Sequence, residues 1–350
     1  GGFIYVSDDY QNIYKYELIT WYSYGLDTIR VKQIRKYPPY LYVCGGQDGL
    51  WRRNIEVDTT GWEYLGMSVA DVNAGGNGVF DVIINEYNPI EILVAYDPYS
   101  GDDPSVYKSI NDGQIWFPSS EGMDYYIEEY EYHGYYHIWK FQKNSGGLFA
   151  VGERLFVSDD FGDSWQDVTP ESWIWAIMIN DFVTHSTNDS IMWFGGETSF
   201  FGPLLVKSQD AGISFQWVGL QVPIDNTVYS IALHPTSVDT LYVALATYGW
   251  LIKATDGGKA WINDNNPIEP IFIHPYVGYC FTSIVIDSNN PSCVYVAGGP
   301  YIFECYDSVE SWSYVELEWP LSSYVCEMFF DGESRKLYVG TLSGVFIYQR

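Results

Sequence analysis

Short apolar runs closed off by Gly, Pro, Asn, Asp or Ser recur along the whole chain. The pattern is clearest over residues 228–263. Val228-Tyr229-Ser230-Ile231-Ala232-Leu233 reads as one strand, His234-Pro235-Thr236 as a turn and Leu241-Tyr242-Val243-Ala244-Leu245 as a second strand. Trp250-Leu251-Ile252-Lys253 reads as a third, and a fourth starts at Trp261. The same succession can be placed seven times. First strands fall at 29–34, 79–84, 136–141, 173–179, 228–233, 281–286 and 324–330. Second strands follow at 41–44, 92–95, 148–151, 191–194, 241–245, 293–297 and 337–340, and third strands at 50–53, 106–108, 155–157, 204–207, 250–253, 301–304 and 345–348.

After the third strand comes an octet. Ser158-Asp159-Asp160-Phe161-Gly162-Asp163-Ser164-Trp165 is its fullest form, with copies starting at residues 109, 208, 254 and 305. The positions kept are Ser109, Asn111, Gly113 and Trp116; Ser158, Asp160, Gly162 and Trp165; Ser208, Asp210, Gly212 and Phe215; Asp256, Gly258 and Trp261; and Asp307 and Trp312. The steps of 49, 50, 46 and 51 residues mark a repeat architecture. Each octet lies between strands, so it reads as a hairpin turn. Ser and Asp bond nearby backbone N–H groups, Gly takes a positive φ, and the aromatic covers the turn. The carboxylate is then engaged by the backbone, a structural role rather than a catalytic one. Four short antiparallel strands in seven units of about 50 residues make a single all-β, seven-bladed β-propeller. Ile4-Tyr5-Val6-Ser7-Asp8-Asp9 copies the third-strand phase, as does Val345-Phe346-Ile347-Tyr348. Residues 1–19 are therefore expected to close the ring by completing the blade formed by 324–350, which removes two open sheet edges.

The octets resemble the Asp-box, or bacterial neuraminidase repeat, of the sialidase-, sortilin- and xyloglucanase-type β-propellers. Copies span 109–312, and their flanking strands extend the resemblance over nearly the whole chain. The resemblance implies the propeller fold but not an activity, because the superfamily includes enzymes, receptors and assembly factors. Sialidases carry three substrate-binding arginines and a Phe/Tyr-Arg-Ile-Pro motif; here Arg154 is the single Arg between Arg53 and Arg335. Xyloglucanases use two propellers in tandem, and Gly45-Gly46-Gln47-Asp48-Gly49-Leu50-Trp51 matches their first-blade motif only loosely. Sortilin-type receptors have ten blades and a cysteine-rich module. Photosystem II assembly-factor propellers share the seven-blade size but present an arginine patch.

Charge narrows the partners. The chain of 350 residues carries 45 acidic against 17 basic residues, a net charge of −28 that repels nucleic acid. The basic residues gather early, at Lys15, Arg30, Lys32, Arg35, Lys36, Arg52 and Arg53, as a solvated strand face or a docking patch. No apolar stretch of 18 residues is present, so no membrane span is expected, and no signal segment opens the sequence. Opening on Gly1 fits a processed or excised chain, and Asn188-Asp189-Ser190 is a glycosylation sequon, so an extracellular or cell-surface location is expected. Cys293 and Cys305 flank a hairpin centred on Gly298-Gly299-Pro300, which places them as a disulfide across two strands or, alternatively, as two buried thiols. A disulfide would mark an oxidising compartment.

Long connections on one propeller face are where binding is expected. The aromatics there, Tyr96, Tyr99, Phe200, Phe201, Tyr248 and Trp250, are the candidate contact surface for a protein (copies of this chain included) or a polysaccharide. The alternative is a glycoside hydrolase using two of Asp97, Asp102, Glu153 and Glu197, the acids nearest the expected channel face. The run Asp124–Tyr132 reads as a solvated acidic loop, with cation binding or sugar stacking as the sharper option. Tyr96–Asp103 lacks the spacing of an EF-hand, and His133 and His137 lack a third zinc ligand. No cofactor and no metal are expected. The sequence therefore points to a binding or structural module first and to a hydrolase second.

Overall fold

The computed structural model describes residues 3–7, 13–17, 20–57, 59–72, 75–128, 131–170, 177–198, 202–220, 226–246, 250–261, 281–306, 312–316 and 324–349. Seven antiparallel sheets follow one another along the chain, each starting at its inner strand. Blade I comprises Gln33–Tyr37, Tyr40–Cys44, Leu50–Asn54 and Glu63–Tyr64. Blade II comprises Gly78–Ile84, Ile92–Asp97, Val106–Ser109 and Phe117–Pro118. Blade III comprises Ile138–Asn144, Gly147–Gly152, Leu155–Ser158 and Gln166–Asp167, and blade IV Ile177–His185, Asn188–Thr198, Gly202–Ser208 and Gln216–Trp217. In blade V the described strands are Val228–Leu233, Leu241–Leu245 and Leu251–Ala254. Blade VI comprises Phe281–Ile286, Val294–Gly298, Tyr301–Cys305 and Trp312–Glu316. Blade VII comprises Val325–Asp331, Lys336–Thr341 and Gly344–Gln349, with Thr20–Gly25 as its outermost strand.

The ring is closed by an N-terminal strand, as expected, but by the next one along. Thr20–Gly25 pairs with Gly344–Gln349 from Thr20↔Gln349 to Gly25↔Val345. Phe3–Ser7 and Ile13–Glu17, within the segment expected to close it, instead pair with each other as a separate hairpin. Ile4-Tyr5-Val6 of the first carries the third-strand pattern, which is the reason a closing strand is expected there.

Each middle strand reads as an unbroken apolar run because both of its faces are covered. Seven clusters of buried side chains occupy the seven junctions between neighbouring blades. Val31, Ile34 and Leu41 of the first meet Tyr338, Val345 and Ile347 of the last. Between blades II and III, Ile83 and Leu93 pack on Ile138, Phe141 and Trp165. Outer strands are exposed and only two residues long in blades I to IV, leaving little free edge for another chain to join.

The octets fold as side-chain-stapled turns. Ser158 Oγ accepts the Gly162 N–H at 2.7 Å and donates to Asp160 Oδ1, which also accepts the Ser164 N–H at 2.9 Å. The same bonds recur from Ser109 and Asn111 and from Ser208 and Asp210, while Asp256 accepts the Lys259 and Ala260 N–H groups. Burial works against the Asp160 charge, but the Ser164 and Ser158 bonds hold its carboxyl below the usual range. Gly162 needs a φ of +81°, and a Cβ there would press on the Leu93 side chain. The aromatic also ties blades together: Trp165 Nε1 donates to Ser119 O, and Trp116 Nε1 to Leu65 O, each on the preceding blade's outer end. Asp307 lies outside the described residues, and Trp312 falls on a blade VI strand.

Cys293 and Cys305 are thiols, as are Cys44 and Cys326. The cross-strand partner of Cys305 is Val294, one residue away from Cys293. A shift of one residue turns a side chain to the other face. Cys293 therefore packs in the junction of blades VI and VII, and Cys305 in that of V and VI. The expected disulfide is not formed, and the oxidising compartment it would have marked loses that support.

Candidate binding channel

Six of the seven inner strands are broken at the same place, and blade I carries the equivalent residue just before its strand. The register skips one residue at Phe80, Trp139, Asn180, Tyr229, Thr282 and Cys326, a β-bulge in each of blades II to VII. In blade I, Lys32 donates its N–H to Cys44 O, the residue already opposite Gln33. A bulge re-aims its side chain, and all seven side chains line one axial cavity of about 880 Å³. Lys32, Phe80, Trp139, Asn180, Tyr229, Thr282 and Cys326 thus succeed one another around the ring. Blades I to V supply a cation, three aromatic faces and an amide, whereas blades VI and VII supply a hydroxyl and a thiol.

The residue after each bulge stitches neighbouring blades together. Asp81 is fully buried, pairs with Arg35 at 2.8 Å and accepts the Phe141 N–H at 2.9 Å. Asp181 pairs with Lys140 at 2.5 Å and accepts the Ile231 N–H. Ser230 accepts from Ile284 N and Ser283 from Met328 N. In blade VII, Glu327 accepts from Gln33 Nε2 at 3.1 Å; burial lifts its carboxyl to about 7, with Lys140 pulling the other way.

Most of the early cluster of basic residues is engaged inside the fold. Arg35 meets Asp81, Lys36 meets Asp331 and Glu333, and Arg52 meets Glu63 and Asp112. Arg53 lies over the Tyr24 ring and donates to Tyr24 O. Among the described residues Arg30 and Lys32 make no ion pair, and both line the channel.

The expected site residues scatter. Tyr96 is a correction: the second strand of blade II runs on to Asp97, so its ring is fully buried in the junction with blade I, edge-on to Tyr107. Tyr99 is 86% exposed. Trp250 is half-buried against the junction of blades IV and V. Phe200, Phe201 and Tyr248 lie outside the described residues. Part of the acid-rich run is a hairpin rather than a loop, with Asp124–Ile127 paired to Tyr132–Tyr135. It is held to the blade II turn by Tyr135 N–H donating to Gly101 O, and Tyr125 packs on Tyr132 and Tyr136.

Of the four acids, two meet around one histidine. Asp97 Oδ1 lies 2.7 Å from His137 Nδ1, and Glu153 Oε2 accepts the His137 N–H at 3.1 Å. Asp97 Oδ2 accepts from Asn77. Burial disfavours the Asp97 charge, yet the His137 and Asn77 bonds hold the carboxyl below its usual range; the same Asp97 bond raises His137. Asp102 bonds Ser100 within its own turn, and Glu197 accepts from Thr227 Oγ1. Among the described residues no group of three or more His, Cys, Asp or Glu is placed to hold a metal ion.

Sequence reasoning looked for the site on loops and missed the bulge ring. Aligning the seven first strands would have shown a variable residue before Asp81, Lys140, Asp181, Ser230, Ser283 and Glu327. A bulge, however, leaves no composition signal of its own.

No family model matches the chain, and no curated protein matches it. No helix among the described residues is long and apolar enough to cross a membrane. Solved structures do match. The GH74 xyloglucanase from Xanthomonas campestris aligns with a TM-score of 0.69 at 14% identity, over 93% of this chain and 53% of that one. YCF48 bound to D1 peptide aligns with a TM-score of 0.66 at 11% identity, over 95% and 97%. The extracellular domain of a one component system from B. thetaiotaomicron aligns with a TM-score of 0.63 at 10% identity, over 95% and 40%. The chain spans about half the length of the xyloglucanase. At these identities the likeness is one of fold, and the fold is the seven-bladed β-propeller.

Proposed function

We propose that this chain is a non-catalytic, Asp-box-type propeller module, extracellular or at the cell surface, that binds a protein or polysaccharide at its axial channel. The carrying observation is the convergence of six bulge side chains and Lys32 on one cavity, with Phe80, Trp139 and Tyr229 offering apolar faces beside amide, hydroxyl and cationic groups. Aromatic faces with a few placed polar groups suit a sugar ring or a peptide side chain. The fold neighbours are in keeping with this, since one carries a bound peptide and one acts on a polysaccharide. The hydrolase alternative draws less support. The general acid of such a pair needs a raised pKa, whereas Asp97 is pushed the other way, which leaves it at most the base or nucleophile part.

The test is a glycan array and peptide pull-down with the intact protein, repeated with Trp139→Ala, Tyr229→Ala and Tyr99→Ala. Ligand lost with the two channel variants supports the reading. Ligand that persists in both, or sugar released during incubation, overturns it.

A further inference from the structure

Four cations line the axial cavity, and they divide into two kinds. Arg35 and Lys140 are clamped to Asp81 and Asp181 and belong to the blade-to-blade stitching. Arg30 and Lys32 have no such clamp among the described residues. Lys32 Nζ stands 4.4 Å from the centre of the Phe80 ring, at the start of the aromatic arc. The acids that face the cavity are otherwise occupied: Asp97 by Asn77 and His137, Asp181 by Lys140, Glu327 by Gln33. Burial, and then repulsion from Arg30, lowers the Lys32 pKa, against a smaller opposing pull from Cys326 and Asp97.

We propose that the cavity takes the carboxylate-bearing end of the ligand, with the carboxylate between Arg30 and Lys32 and an adjoining apolar group on Phe80, Trp139 and Tyr229. The proposal rests on the binding-module reading above and sharpens it. A single terminal carboxylate fits better than a polyanion. With a net charge of −28, the exterior repels each further negative group, so only the group inside the channel meets cations that have no ion-pair partner among the described residues. A cavity of about 880 Å³ has the size of a site for a terminal residue or a small organic acid. Thr282 and Cys326, both short, leave room opposite the aromatic arc.

Isothermal titration of the full chain tests this with four probes: N-acetyl-phenylalanine, its amide, and a hexapeptide ending in Phe with a free or an amidated C-terminus. Each acid is expected to bind roughly tenfold more tightly than its amide, the scale of a charge-assisted bond. Lys32→Met and Arg30→Gln should each bring that ratio down to about twofold. Lys32→Arg should keep the ratio, which guards against a folding defect in Lys32→Met, and Trp139→Ala should weaken acid and amide alike. Binding of the small acid points to a free carboxylate as the source, and binding of the peptide alone to a polypeptide end; either supports the proposal. Equal binding of acid and amide overturns it, as does tighter binding of trigalacturonate than of the single carboxylates. If no probe binds while the array still yields a Trp139-dependent ligand, the carboxylate proposal fails and the binding-module reading stands. If neither yields a channel-dependent ligand, both fail.

Discussion

Asp81 offers the sharpest test of how the ring is held. It is fully buried, and its two oxygens accept four bonds: Arg35 Nε at 2.9 Å, Arg35 Nη2 at 2.8 Å, and the N–H groups of Val82 at 2.8 Å and Phe141 at 2.9 Å. One side chain therefore joins blades I, II and III. Asp81→Ala strands the Arg35 guanidinium and leaves the Phe141 N–H unmet. Breaking a buried ion pair costs about 3–5 kcal/mol and an orphaned N–H about 1–3 kcal/mol. Arg35 keeps 27% of its side chain exposed, so water takes up part of the loss. The expected destabilisation is about 4 kcal/mol for Asp81→Ala and about 2 kcal/mol for Asp81→Asn, which keeps an acceptor for Phe141 but loses the charge. In urea, followed by tryptophan fluorescence, an m of about 3 kcal/mol/M turns these into midpoint shifts of about 1.3 and 0.7 M. Adding Arg35→Leu to Asp81→Ala should cost less than the two single changes together, by about 2 kcal/mol, because no lone charge is left behind. A midpoint for Asp81→Ala within about 0.3 M of the parent, or strict additivity in the double variant, refutes the stitching role.

Further predictions concern other parts of the ring. Trp165→Ala removes a buried indole and its bond to Ser119 O and should cost about 3–5 kcal/mol, against about 1 kcal/mol for Trp165→Phe, in the same urea assay. Glu327 has its folded pKa raised to about 7, so its contribution is present at low pH and lost as pH climbs from the unfolded value near 4.5. Glu327→Gln should therefore gain about 2 kcal/mol relative to the parent at pH 8 compared with pH 5, and a difference that does not change with pH refutes the assignment. Cys293 and Cys305 should both alkylate with iodoacetamide in denaturant without reductant, read by peptide mass; a crosslinked 293–305 peptide would contradict the register.

Much of the architecture was legible because blade strands advertise themselves. Runs such as Leu241–Leu245 and Val228–Leu233 fall on strands with those bounds. Blade I was read too early: Arg35 and Lys36 looked like a strand's end, but they stay in the strand because Asp81 and Asp331 on neighbouring blades neutralise them. Tyr96 looked like a loop residue because strand length is set by the partner, here Gly78↔Asp97, and not by the run itself. The closing strand was hidden by a near-copy upstream, since Ile4-Tyr5-Val6 matches the repeat better than Thr20–Gly25 does. Least legible was the channel. Its chemistry sits on one unpaired residue per inner strand, and hydrophobic period says nothing about where register slips.

The pairing of Thr20–Gly25 with Gly344–Gln349 has a consequence for biosynthesis. The strand that seals the last sheet is made before any other strand of the ring and must stay unmatched until Gly344–Gln349 has followed it. A nascent or truncated molecule thus presents a vacant slot and an idle strand together. Two such molecules satisfy each other as readily as each satisfies itself, so the foreseeable misfolding product at high expression is a strand-exchanged dimer.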